Sequence, residues 1–156
     1  MSGSSNAALN MRVTANSSQG HRKYMEDCYK IRFQRGSPGQ HDTLAANGNA
    51  DSDILFSYFA IFDGHGGKEA SQHCKEKLYW KIIDQDDFWS DNDSQVLNAI
   101  RNGFLQCHLD MWHELPQWPK TASGLPSTSG TTATVLFIKK SKAYVGHVGD
   151  SGLVIG

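Results

Sequence analysis

The sequence predicts a mixed fold of strands and helices around a single core, and three observations carry this. A short aromatic and β-branched run, residues 58–62, ends in Asp63-Gly64-His65-Gly66-Gly67, the pattern of a buried strand that stops in a turn. Ala70, Cys74, Leu78 and Ile82 then recur at i+4, the stripe of an amphipathic helix. Residues 134–138 and 143–148 flank a basic turn and read as a hairpin. With 156 residues, 38% apolar and 20% charged, the chain can bury one core, and a single soluble globular domain is the expectation.

A formal net charge of -1 gives no general attraction to nucleic acid or anionic membrane, so neither is expected as a partner. No apolar run is long enough to span a bilayer. Residues 1–10 are small and polar without a secretory pattern, so a flexible N-terminus and an intracellular, soluble setting are expected. Cys28, Cys74 and Cys107 are odd in number, widely spaced and without a C-x-x-C pair. That argues against a disulfide framework or a zinc ribbon and for buried thiols.

Taken in order, residues 11–17 alternate weakly and are expected to form a strand that ends in a turn at Ser18-Gln19-Gly20. Residues 24–35 form the next, with Tyr29, Ile31 and Phe33 opposite Lys30, Arg32 and Gln34. Residues 36–53, rich in Gly, Ser, Asn, Asp and Ala, read as a flexible loop insertion. A helix is expected over 67–84 and a break over 86–92. A second helix starts near Asp93 or Ser94, buries Val96, Ile100, Phe104, Cys107 and Met111, and stops before Pro116. His108 and His113, five apart, do not share a face and are expected as ordinary surface or core residues. Residues 115–127 read as an ordered, proline-punctuated loop. After the hairpin, 152–156 begins a further strand, as if the chain were cut inside a sheet.

Chemistry-bearing residues gather at strand ends. Arg22 stands beside Glu26 and Asp27, Asp63 beside His65, and Asp150 beside Gly149. Each cluster alone has a plainer reading: the first as a solvated charged turn, the second as a turn whose Asp caps the next helix. Brought to one rim, the carboxylates suit a binuclear site for magnesium or manganese, since neither thiolate nor paired histidine is supplied. The expected chemistry is attack by a metal-activated water on a phosphoryl group held by Arg22, with His65 protonating the departing alkoxide. An Asp63, His65, Ser151 triad lacks the nucleophile elbow, and Gly64 to Gly67 is no P-loop.

These motifs resemble the metal-dependent serine/threonine protein phosphatases of type 2C. The match runs through Gln19-Gly20-x-Arg22, Met25-Glu26-Asp27, Phe59-x-x-Phe62-Asp63-Gly64-His65-Gly66-Gly67, Ser129-Gly130-x-Thr132-Ala133 and Gly149-Asp150-Ser151. Residues 22–27, 118–121, 124–133 and 143–152 make the delta, stress- and DNA-damage-linked branch the most similar. The resemblance implies an α+β fold, a four-layer αββα sandwich of two mostly antiparallel sheets flanked by helices. It implies that Asp63 bridges two ions, that Gly64 offers a carbonyl ligand, that Glu26 binds one ion and that Asp150, with Thr132 near it, binds a weaker third. Asp27 would orient water, Arg22 bind phosphate and His65 act as general acid. Substrates would be phosphoserine and phosphothreonine proteins, the enzyme a monomer, and its place the nucleus or cytoplasm.

Two departures stand out. Gly152 replaces the arginine that usually follows G-D-S, and motifs like D-G-x-W-[DN] and G-x-x-D-N, which complete the family's metal site, are absent. Residues 11–156 are therefore expected to be the N-terminal portion of the catalytic domain, inactive alone. The alternative is a non-catalytic interaction module that binds phosphoproteins or competes for partners through Arg22 and residues 112–127. A small-molecule phosphohydrolase is a third reading.

Overall fold

The structure, a computed structural model, describes residues 11–36 and 54–156. The expectations for the flexible N-terminus, 1–10, and for all but the first residue of the insertion, 36–53, lie outside the described residues. Strands β1 (Cys28–Arg35), β2 (Ile54–Phe62), β5 (Ala133–Lys139) and β6 (Lys142–Val148) form one antiparallel sheet in the order β1-β2-β5-β6. A second, two-stranded ladder joins β3 (Gly64–His65) to β4 (Gly130–Thr131). Helices α1 (Glu69–Ile83), α2 (Asp86–Trp89) and α3 (Asp93–Glu114) separate the β3 and β4 partners in the chain. Antiparallel sheets with segregated helices make the fold α+β, as expected.

β2 organises the core because alternate side chains point into the helical layer. Phe56, Tyr58, Ala60 and Phe62 are buried, whereas Ile61 is 54% exposed on the opposite face. An aromatic cluster fills the space beneath: Tyr58 and Phe88 lie with ring centroids 4.8 and 4.9 Å from Phe137, within the range of favourable edge and tilted contacts. The expected stripes hold: Ala70, Cys74, Leu78 and Ile82 of α1 and Val96, Ile100 and Cys107 of α3 are buried, with Phe104 and Met111 partly so. Asn92 caps α3, its side chain accepting from Ser94 N at 2.9 Å. The β5-β6 hairpin turns at Lys140-Ser141 with Lys139 opposite Lys142. Lys139 itself is buried, its ammonium donating to the carbonyls of Phe88 at 2.8 Å and Ser90 at 2.6 Å.

Four expectations are corrected. Residues 11–17 form no strand: Val13 is 40% exposed, and among the described residues no sheet edge pairs with the segment. Residues 152–156 likewise lie unpaired, with Val154 95% exposed. The apolar pattern was present in both, but a strand exists only where a ladder satisfies its backbone. The break at 86–92 contains the short helical turn α2, which carries Phe88 into the core. Cys74 and Cys107 are buried, while Cys28 is only half so.

α1 and α3 approach closely at Gly103, where an added Cβ would press on Ile82, 3.2 Å from its backbone N and Cα. Gly103→Ala should lower stability by about 1 kcal/mol or more, because forcing two helices apart outweighs the helix-propensity gain of about 1 kcal/mol. A urea titration checks this: an unchanged or raised midpoint would contradict the close approach.

Candidate metal centre

The rim of the sheet is assembled around the end of β2. The backbone amide of Thr132 donates to the Asp63 carbonyl at 2.9 Å, and the Asp63 amide donates to Thr132 Oγ1 at 3.2 Å. Thr131 Oγ1 donates to the same carbonyl at 3.1 Å. Thr132 Oγ1 also shares a hydrogen bond of 2.7 Å with Ser151 Oγ, which draws the Gly149-Asp150-Ser151 segment to the end of β2. Alternation continues past the strand: Gly64 is buried while Asp63 and His65 are exposed, the same-side placement expected from their spacing.

Gly64 is required for a close approach rather than for flexibility. A Cβ there would run into the carbonyl of Glu26 and sit 2.9 Å from Ser71 Oγ. The hydroxyl of Ser71 donates both to the Glu26 carbonyl and, at 3.0 Å, to that of Lys68. The backbone at Glu26 is thus fixed against β3 and α1, while Arg22, Lys23, Tyr24 and Asp27 remain exposed. Nor does Asp63 cap α1. The hydroxyl of Ser129 does so, accepting from Ala70 N at 3.0 Å and donating to Gly67 O at 2.9 Å.

Asp63 feels its acidic neighbours. Its pKa is raised, first by partial desolvation, then by the charge of Asp27 and a hydrogen-bonding contact with it, then by Asp150, with His65 acting in the opposite direction. Asp27, Asp63, Asp150 and His65 therefore share one field. His65 lies against Gly130, where an added Cβ would meet the imidazole; Ser151 is engaged by Thr132, and no triad forms. Arg22 is exposed on the turn at Gly20, its backbone amide 3.2 Å from the Gln19 carbonyl. Among the described residues no three His, Cys, Asp or Glu side chains converge closely enough to close a coordination sphere by themselves.

The donor set nonetheless fits a hard divalent ion: the groups that crowd Asp63 are carboxylates, and their mutual repulsion is what a cation relieves. Sequence reasoning missed Ser71, which holds the rim, and gave Ser129 and Thr132 only by resemblance. Small hydroxyls leave no spacing signal, and only their packing partners reveal them.

A carboxyl whose folded pKa is raised contributes stability at pH values below its ordinary pKa and loses it as the pH rises through the raised value. At neutral pH without metal, Asp63→Asn should therefore raise the melting temperature by about 1–3 °C. Mn2+ should stabilise the wild type and not the variant, since an ion that binds only the folded chain raises its melting temperature. A destabilised variant, or an equal Mn2+ shift in both, would refute the assignment of Asp63 to a metal site.

A family model described as protein phosphatase 2C matches residues 11–156. A probable protein phosphatase 2C from Oryza sativa subsp. japonica is 30% identical over 139 residues, covering 73% of this chain and 26% of the relative. Another from Caenorhabditis elegans is 36% identical over 98 residues, covering 63% of this chain and 25% of the relative. The solved serine/threonine phosphatase PstP/Ppp of Mycobacterium tuberculosis aligns with 80% of this chain and 47% of its own, at 21% identity and a TM-score of 0.38. The chain spans about a quarter of the length of the curated relatives it matches first. The match of residues 11–156 to the family model means that this chain belongs to the protein phosphatase 2C family.

Proposed function

We propose that this chain supplies one side of the active site for metal-dependent hydrolysis of phosphoserine and phosphothreonine in proteins. The observation that carries the reading is that the end of β2 holds Asp63, Gly64 and His65 against the Glu26 carbonyl, while Thr132 ties Asp63 to Ser151, the neighbour of Asp150. Asp63, Glu26, the Gly64 carbonyl and Asp150 would hold Mg2+ or Mn2+, in keeping with a family that is generally metal-dependent. Bound there, such ions supply the Lewis acidity that makes water nucleophilic near neutral pH.

The chain's own residues do the rest. Asp27, held by the packing of Glu26 on Gly64, accepts a hydrogen bond from the attacking water and orients it. Arg22 presents a planar fork suited to two phosphoryl oxygens. His65, in its protonated form, gives a proton to the departing serine or threonine alkoxide. The substrates are phosphoproteins, met by a monomer in the nucleus or cytoplasm, with neither nucleic acid nor membrane as partner. The motifs around residues 22–27 and 124–133 favour the delta branch. No described helix is long and apolar enough to cross a membrane.

A second reading, binding of phosphoproteins without turnover, is favoured by the lack of three converging ligand side chains among the described residues. The two are separated by Mn2+-dependent rates on a phosphothreonine peptide. The 156-residue chain is expected to show none, and turnover abolished by Asp63→Ala would refute that incompleteness. In a protein that carries the whole domain, Asp63→Asn should cost about 10²–10³-fold in kcat, the scale of losing one preorganised electrostatic group. Unchanged turnover there would sink the metal mechanism.

A further inference from the structure

Among the described residues two buried side-chain polar atoms lack a hydrogen-bond partner, Tyr58 Oη and His73 Nε2. An orphaned buried group requires an explanation, and these two flank the same place. Burial, then Cys74 and Cys107, push the Tyr58 hydroxyl above its ordinary range. Cys107 stands close enough to His73 to be the largest influence on its basicity, although no hydrogen bond of regular geometry reaches Nε2. The thiols themselves are in contact: Cys74 Sγ lies 3.8 Å from Cys107 Sγ and 3.8 Å from Met111 Sδ. Cys74, Cys107 and Met111 line the floor of a groove of about 510 Å³ between α3 and β6.

We propose that Cys74 and Cys107, with Met111 as third donor, form a binding site for a soft monovalent metal ion, Cu(I). Sulfurs about 2.3 Å from a shared ion and 3.8 Å apart subtend an angle of about 110°, and Met111 Sδ lies at the same 3.8 Å from Cys74 Sγ. Thiolate and thioether donors select Cu(I). No three His, Cys, Asp or Glu side chains converge among the described residues, which sets aside a preformed zinc centre, whereas two or three sulfurs suffice for Cu(I).

Binding places charge near both orphans. Cu(I) plus two thiols gives a bis-thiolate complex and two protons, which leave to solvent. Glu114 Oε2, 3.0 Å from His73 Nδ1, fixes that nitrogen as the donor. That leaves Nε2 as an acceptor beside Cys107. The groove provides the entry path. This site lies apart from the carboxylate rim, and it stands or falls independently of the phosphatase reading.

The test is an anaerobic titration of the 156-residue chain with Cu(I) against a chromophoric Cu(I) chelator. One equivalent should bind with release of two protons. Affinity should fall at least about 100-fold in Cys74→Ser and Cys107→Ser and about 10-fold in Met111→Leu, a volume-conserving change that keeps the fold, while Cys28→Ser should leave it unchanged. No uptake by the wild type, uptake retained by the double Cys74→Ser/Cys107→Ser variant, or unchanged affinity in Met111→Leu would each overturn the proposal.

Discussion

The exchange of hydrogen bonds between Asp63 and Thr132 holds the rim together. β2 pairs with β5 as far as Ile61 opposite Thr134, and beyond that point an amide and a carbonyl at the strand end would be left unmatched. Thr132, only 7% exposed, answers both with its own amide and hydroxyl, and passes a further bond to Ser151. One small side chain thus stops two strands from splaying, sets where the Asp63 carboxylate emerges, and brings the segment after β6 within its field. Glu26 over Gly64 and Ser129 at the start of α1 complete the clamp from the other side. The site is held by backbone contacts and hydroxyls, and the carboxylates are what it presents.

The central strands and both long helices were legible because their periodicity coincides with burial: Phe56, Tyr58, Ala60 and Phe62 alternate as a strand must, and Val96, Ile100 and Cys107 recur as a helix must. The same rule failed at 11–17 and 152–156, since alternation reports what a segment can bury and not whether an edge is there to receive it. Asp27, Asp63 and Asp150 stand out in the sequence as carboxylates beside strand ends, which is the basis on which they are proposed for the site. Ser71 does not, because on the sequence it is one polar residue within a helix, and its role depends on the Glu26 carbonyl lying against it.

The carboxylate rim and the outer face of the sheet show the same tension between folding and function. Asp63 is crowded by like charge, an arrangement that stability alone would not select. On the far side of the sheet, Tyr29, Phe33 and Ile61 are 45%, 41% and 54% exposed. The described residues form a helical layer on one side of the four-stranded sheet, and the opposite face carries these apolar side chains open to solvent.

Lys139 alters how the hairpin behaves in time. Its ammonium, enclosed against the Phe88 ring and bound to two carbonyls of the α2 connection, ties the turn of β5 and β6 to the helical layer. Opening that turn would return a charge to water but leave two carbonyls without donors and uncover Phe88, so the tip cannot fray by itself. A hairpin end that would ordinarily exchange its amide hydrogens first is thereby joined to the cooperative unit of the core.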